Sequence, residues 1–251
     1  MNAQTAILLA GAGVMGGIVN AIAGGATLIT FPAMLAAGLP PLTANASNAV
    51  AVIPGHLTAA LADRRQLPAL DRSLVIMTST AITGGASGAV LLLVTPERVF
   101  TTLVPVLIGL ATLIFALGRR LQSVLSRHSQ TQSNFPRSIL LLPIAVYVGY
   151  FGAGLGVMLL ALLTLTSTQD IRAINALKNL LATAVSLATL AIFVAQGVIR
   201  WPETLVMLAG AVCGGVLGGK LMAVLPPPVV RLAITAIGTA MTLIYAWHYW
   251  Y

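Results

Sequence analysis

Long apolar segments recur along the whole chain and restrict the folds open to it. Each is close to the roughly 20 residues that a helix needs to cross the hydrocarbon core of a bilayer. Only 7% of the 251 residues are charged and 58% are hydrophobic, whereas roughly a quarter of the residues of a soluble domain are charged. The composition therefore indicates a membrane protein. Its apolar segments are 43–62, 74–94, 99–118, 180–197, 203–225 and 229–247.

These segments are expected to be helices. Backbone polar groups in lipid must find partners within the chain, and the continuous apolarity differs from the alternation of a transmembrane β-strand. The lone Cys213 has no partner for a disulfide or a metal cluster. No catalytic, zinc-binding or phosphate-binding motif is recognised. The sequence predicts an all-α polytopic membrane protein that is not an enzyme and uses no cofactor or metal.

The most polar segment, 119–137, divides the chain nearly in half. It carries arginines and no acidic residue, as the positive-inside rule expects of a cytoplasmic connection. The net charge of +8 mostly marks such loops, so we expect no nucleic-acid partner. We divide the chain into a first transmembrane repeat (1–118), a basic cytoplasmic linker (119–137) and a second transmembrane repeat (138–251).

Similar landmarks recur in the two halves at a spacing of about 131 residues. Each half has a glycine-rich break, a helix start with paired asparagines, a turn with Arg and Pro, and paired small residues. This order predicts two pseudo-symmetric repeats, each a Gly-broken first element followed by three transmembrane helices. If the broken element is a re-entrant hairpin, the repeats are inverted; if it is one unwound helix, they are parallel. The distribution of Lys and Arg does not decide between the two.

The glycine-rich breaks are the best pointers to a substrate site. Matched breaks in the two halves of a transporter mark a site near the membrane midplane. Each break creates a half-helix N-terminus whose N–H groups attract an anion. The alternative is close helix packing through small residues. The residues assigned to substrate binding at the breaks are Asn20, Gly24, Gly25, Thr27, Gly152, Gly154 and Gly156.

Polar side chains also begin the helices that follow the breaks. Each helix has two asparagines three or four residues apart, which places them on one helical face. Lys178 lies beside the second pair, and an intramembrane charge is expensive unless it faces a cavity or pathway. We assign these side chains to the same anion site, with snorkelling of Lys178 to the interface as the alternative. The asparagines are Asn45, Asn48, Asn175 and Asn179.

His56 follows a Pro54-Gly55 pair that is expected to kink its helix. Because imidazole titrates near neutral pH, His56 is the candidate for proton coupling; the alternative is a hydrogen-bonding histidine within the bundle. The five acidic residues lie at predicted helix ends or in loops, so we expect no buried carboxylate and no cation path. The four-residue glycine spacings Gly84/Gly88 and Gly210/Gly214/Gly218 are typical of helix packing faces.

Two segments resemble the signatures of the TauE/SafE family, the sulfite and organosulfonate exporters. The first is GGATLITFPAMLAAGLPPLTANASNAVAVIPGHLTAALADRR, and the second is GYFGAGLGVMLLALLTL followed by RAINALKNLLAT. The resemblance covers nearly the whole chain and implies a multi-pass secondary transporter of the inner (plasma) membrane. It places the family's breaks on Gly24-Gly25 and Gly152 to Gly156, and its Lys-Asn pair on Lys178-Asn179. The shortened first break, AGGAT, departs from the family and leaves the substrate open.

These features together predict a secondary transporter of small anions such as sulfite or organosulfonates, and the family resemblance implies that it is an exporter. It would work by alternating access around a site between the two breaks. A passive anion channel and a non-transporting membrane scaffold are the alternatives. The expected partners are a small anionic substrate and the lipid bilayer, and the further candidates are a coupling ion (H⁺ or Na⁺) and a second copy in a homodimer.

Overall fold

The computed structural model describes residues 1–22, 24–128, 137–167, 170–221 and 227–251. Every regular element within these ranges is a helix, as the sequence predicts. In chain order the elements are α1 (Ala3–Ile22), α2 (Thr27–Ala36), α3 (Pro41–Ala51), α4 (Ile53–Ala62), a 3₁₀ turn (Arg64–Gln66), α5 (Arg72–Val94), α6 (Glu97–His128), α7 (Arg137–Tyr150), α8 (Leu155–Thr166), α9 (Ile171–Ala195), α10 (Trp201–Leu221) and α11 (Pro227–Trp250).

Six of the described helices contain a segment long and apolar enough to cross a membrane, and they are α1, α5, α6, α9, α10 and α11. Five of them overlap apolar segments identified in the sequence. The remaining predicted segment, 43–62, is divided at Val52 into α3 and α4. Pro54 removes a backbone donor there, so the kink predicted ahead of His56 is confirmed. The chain is an all-α, multi-pass membrane protein.

The outer surface of the bundle is apolar. Large side chains that point away from the core include Ile7, Leu232 and Leu243, which are 73%, 71% and 65% exposed. Because soluble monomers rarely carry extended apolar patches, this surface fits contact with lipid. The transmembrane helices therefore have an apolar outside as well as an apolar core.

The first broken element folds back as a helical hairpin. A Cβ atom placed on Gly16 of α1 would lie 2.5 Å from Cγ2 of Thr30 in α2. In one continuous helix these residues would be separated by about 20 Å, since each residue adds 1.5 Å. The second half of the element therefore returns beside the first, and a single unwound helix is excluded for this part of the chain.

Glycine faces bring two pairs of helices into backbone contact, as the four-residue spacings predicted. On α1, Gly13 meets the backbone of Gly210. Farther along the same helix, Gly17 meets the backbone of Gly214, so α1 and α10 run parallel. The α5–α7 pair packs in the same way, with Gly88 against the carbonyl of Val146. The packing role assigned to Gly84/Gly88 and to Gly210/Gly214/Gly218 is confirmed.

The last helices of the two halves, α6 and α11, run antiparallel. Gly109 faces Thr242, whereas Gly118, farther along α6, faces Arg231. An in-plane two-fold axis makes equivalent helices antiparallel, and an axis along the membrane normal makes them parallel. The directions thus favour the inverted arrangement, while the duplication and the division into repeats 1–118 and 138–251 stay predictions. The linker predicted over 119–137 falls partly on 129–136, outside the described residues.

Aromatic packing fixes the two breaks close together. The rings of Phe31 in α2 and Phe151 in the second break meet edge to face, with centroids 5.3 Å apart. Both side chains are buried in one core cluster that draws residues from both halves of the chain. The breaks are therefore held by the main hydrophobic core of the protein.

Candidate functional site

The first break lies between α1 and α2. Gly24 has φ +72°, a conformation that glycine adopts without the steric penalty of a side chain. Its N–H donates to the carbonyl oxygens of Val19 and Asn20 at 3.1 and 3.2 Å. Gly25 packs against the ring of Phe115, where an added Cβ would lie 2.7 Å from the ring edge. The first break therefore requires glycine at both positions, at Gly24 for its backbone conformation and at Gly25 for lack of space.

The second break, between α7 and α8, has matching geometry. Gly152 and Gly154 have φ +80° and +81°, and Gly154 is the residue that caps α8. The break begins at Tyr150, whose carbonyl accepts a hydrogen bond of 2.9 Å from Nδ2 of Asn45. The chain therefore turns sharply and starts a new helix at the same kind of position as in the first half.

The two breaks line one narrow cleft. Gly24, Gly25, Ala26 and Thr27 form one wall, and Gly152, Gly154, Leu155 and Gly156 lie on the other. The cleft therefore receives the first turns of both α2 and α8. The first N–H groups of a helix have no partner within it and carry the positive end of its dipole. Two such ends at one cleft form a setting that favours negative charge.

A cavity of about 630 Å³ adjoins this cleft and shares several residues with it. Lys178 of α9 reaches this cavity, as does His56 of α4. Thr58 and Ala62 line it and are exposed, so solvent can reach it. Its volume lies within the range of about 300–1,000 Å³ that is usual for small-molecule sites. The polar side chains of the lining are Asn20, His56, Thr58, Asp63, Lys178 and Asn179.

Hydrogen bonds position the charged side chains of the cavity. Lys178 Nζ donates to Oδ1 of Asn175 at 3.3 Å. Asn179 Nδ2 donates to Oδ2 of Asp63 at 2.8 Å, which joins α9 to the end of α4. α9 begins at Ile171, so Lys178 lies two turns inside the helix, as expected, and it reaches the cavity.

The structure brings most of the predicted site residues together. Asn20, Gly24, Gly156, Lys178 and Asn179 line the cavity. Gly25, Thr27, Gly152 and Gly154 line the adjoining cleft. These positions come from both halves of the chain, as predicted.

Three of the predicted residues lie elsewhere. Asn45 and Asn48 are each 1% exposed, and their Oδ1 atoms have no hydrogen-bond partner among the described residues. Asn45 instead ties α3 to the end of α7 through the Tyr150 carbonyl. Asn175 accepts the hydrogen bond from Lys178 and donates one to the carbonyl of Ile171. The lining of the cavity includes none of the three.

His56 lies where three pockets adjoin. Together with Val52 it lines the cavity, the cleft between the breaks, and a further small pocket that contains Thr27 and Ser186. It lies just after the division between α3 and α4. Its role in proton coupling stays a prediction.

The expectation that no carboxylate is buried is wrong. Glu203, in the first turn of α10, is 6% exposed and lies 3.6 Å from the guanidinium of Arg200. Asp63 ends α4, as a helix-end acid should, yet its side chain lines the cavity. The sequence predicts the helix end correctly, but it does not reveal that this end lies beside α9, where Asn179 donates to Asp63.

Comparison with known proteins identifies the family of the chain. The family profile described as "Sulfite exporter TauE/SafE" matches residues 9–245. A "Probable membrane transporter protein" of Haemophilus influenzae is 30% identical over 232 residues, which cover 92% of this chain and 90% of the relative.

Two further relatives carry similar names. "Probable membrane transporter protein ORF9" of a Sinorhizobium species is 28% identical over 91% of this chain and 88% of its own length. "Probable membrane transporter protein YfcA" of Escherichia coli K12 is 28% identical over 91% of this chain and 84% of its own. No solved structure matches the chain. With helices suited to the membrane, a polar cavity among them and a family match over nearly its whole length, the chain belongs to the TauE/SafE family and is a membrane transporter.

Proposed function

We propose that the protein is a secondary transporter that exports small anions, such as sulfite or organosulfonates, across the inner membrane by alternating access. One observation carries the proposal. The first turns of α2 and α8 face one cleft, and that cleft adjoins a cavity lined by Lys178. The family description, which names sulfite export, supports the class of substrate.

The electrostatics of the site suit a small anion that must be released again. Each helix N-terminus acts as roughly half a positive charge, and Lys178 adds a whole one. An anion that leaves water needs such partners, because an unpaired charge in a low-dielectric site is strongly unfavourable. Backbone N–H groups and one lysine supply several weak interactions rather than one strong clamp, so the substrate can dissociate.

The position of the cavity supports loading from the cytoplasm. Arg64 and Arg65 directly follow Asp63 at its edge and are exposed. The positive-inside rule places such a basic loop on the cytoplasmic side. The cavity therefore faces the cytoplasm in this conformation, which is the loading state of an exporter.

Alternating access would then close the cavity and open the opposite side. Inverted halves that rock around a fixed central site are a recurring way to do this. In this chain the division of α3 from α4 at Val52 and the two glycine breaks are the points where the backbone can bend. The site lies among these three points.

The experiment is transport by the purified protein in sealed proteoliposomes. We expect sulfite or an organosulfonate to move against its concentration gradient when a proton or sodium gradient is imposed. Large anion conductance without such coupling would identify a passive channel instead. If no anion crosses the membrane at all under any gradient, a non-transporting scaffold becomes the better account.

A further inference from the structure

We propose that Asp63 binds a positive charge that enters the site together with the anion. That charge is either a small monovalent cation or the ammonium group of an aminosulfonate substrate. The inference rests on the proposed function, because it concerns what else the same cavity must bind. It arises from a carboxylate that an anion site would not otherwise need.

Asp63 is placed for this role by α4 and α9 together. It is the residue that ends α4, it is partly buried, and its carboxylate lines the 630 Å³ cavity. Its Oδ2 accepts a hydrogen bond from Nδ2 of Asn179 at 2.8 Å. A carboxylate offers several lone pairs, so this one bond leaves capacity for a further ligand.

The Asp63 carboxylate is not paired with Lys178. Lys178 is the chain neighbour of Asn179 and lines the same cavity, yet it forms no ion pair with Asp63 within 4.0 Å among the described side chains. Each charge is held by a neutral amide instead, Lys178 by Asn175 and Asp63 by Asn179. The cavity thus presents a positive and a negative group, each hydrogen-bonded to a neutral amide.

The charge balance of the loaded site favours a second positive group. The full charges of Lys178 and Asp63 offset each other in the empty cavity. Arg64 and Arg65 are exposed and are not part of its lining. A single anion would then be compensated only by the partial charges of the two helix N-termini, because Asp63 already offsets the charge of Lys178. A positive charge at Asp63 leaves Lys178 free to compensate the anion together with the helix N-termini.

Binding measurements on the full-length protein in detergent test the role of Asp63. The probes are 2-aminoethanesulfonate and 2-hydroxyethanesulfonate, which have similar size but differ in the ammonium group. Each is titrated by calorimetry at one pH, first with N-methyl-D-glucamine as the sole cation and then with Na⁺. The variants are Asp63→Asn, Asp63→Glu and the control Asp71→Asn. Asp71 is exposed and caps α5, and asparagine caps a helix equally well.

Two results support the proposal and also separate the two sources of charge. If the ammonium is the source, the wild type binds the amino compound about tenfold or more tightly than the hydroxy compound in either buffer, a difference of about 1.4 kcal/mol. If a small cation is the source, Na⁺ tightens binding of the hydroxy compound by a similar factor. In both cases Asp63→Asn abolishes the dependence, while Asp63→Glu and Asp71→Asn keep it.

Other results overturn the proposal. Equal binding of both probes by the wild type in both buffers would show that no positive partner is needed, and this needs no variant to fold. A preference that survives in Asp63→Asn would assign the positive charge to another group. Failure of the wild type to bind any anion, sulfite included, would instead contradict the proposed function as a whole.

Discussion

Replacement of Lys178 by methionine is the sharpest single perturbation of the anion site. Methionine keeps an unbranched apolar stem of nearly the same length and removes the charged amine. Lys178 reaches the cavity from two turns inside α9, and its amine has one protein partner among the described residues, Oδ1 of Asn175. Asp63 then loses a nearby positive charge but keeps its hydrogen bond from Asn179, so the fold should persist while substrate binding weakens.

The expected size of the effect follows from the setting of the lysine. Two opposite charges 4 Å apart attract by about 4 kcal/mol at an effective dielectric constant near 20. Part of this is lost to desolvation, and a hydrogen bond to a charged group contributes about 1.5–3 kcal/mol net. Because each 1.4 kcal/mol is a factor of ten, the dissociation constant of the anion should rise about 10- to 150-fold.

The assay is calorimetric titration of the purified protein with sulfite or an organosulfonate, after a melting curve has shown that the variant is folded. Lys178→Arg keeps the charge and should bind within about tenfold of the wild type. Arg172→Gln is the matched control, since Arg172 lies on the same helix and is exposed. Binding by Lys178→Met within twofold of the wild type would refute the assignment of the anion to this cavity.

Three further predictions concern the fold. Gly88→Ala should lower the melting temperature, because its Cβ would overlap the Val146 carbonyl and overpacking costs about 1–3 kcal/mol. Gly11→Ala is the control: no atom lies within 4 Å of its added Cβ, so the melting temperature should stay unchanged or rise. A lower melting temperature for Gly11→Ala than for Gly88→Ala would contradict the packing. Gly154→Ala should destabilise by about 1–2 kcal/mol, because φ is +81°, as a melting curve can check. A reporter fused after Tyr251 should lie on the non-cytoplasmic side, since the inverted arrangement places both termini opposite the basic loops; a cytoplasmic reporter would favour parallel repeats.

The sequence was sufficient where the signal is local. Apolar runs of bilayer length predicted five of the six long apolar helices, and the four-residue glycine spacings predicted helix packing faces, which the structure places in the pairs α1–α10 and α5–α7. The two breaks were placed correctly, because positions that need positive φ leave a glycine signature, as at Gly24 and Gly152. Lys178 was predicted to face a cavity because a charge within an apolar run is costly elsewhere, and it lines one.

What the sequence could not provide depends on three-dimensional direction. Asn45 and Asn48 share a helical face, as predicted, but that face is buried in the core, where Asn45 donates to the Tyr150 carbonyl. Asp63 instead lines the cavity, where its helix-end position had suggested only a loop residue. The hairpin at the first break is likewise a matter of packing between α1 and α2, which spacing along the chain does not encode.

Counterflow in proteoliposomes tests the central claim most directly, because it requires one site that faces each side of the membrane in turn. Vesicles that contain the protein are loaded with unlabelled sulfite or organosulfonate and diluted into a trace of the labelled compound, with no ion gradient. The account predicts that label accumulates transiently inside above its external concentration, and that Lys178→Met reduces this accumulation strongly. Label that only equilibrates, at the same rate with or without internal substrate, would contradict it.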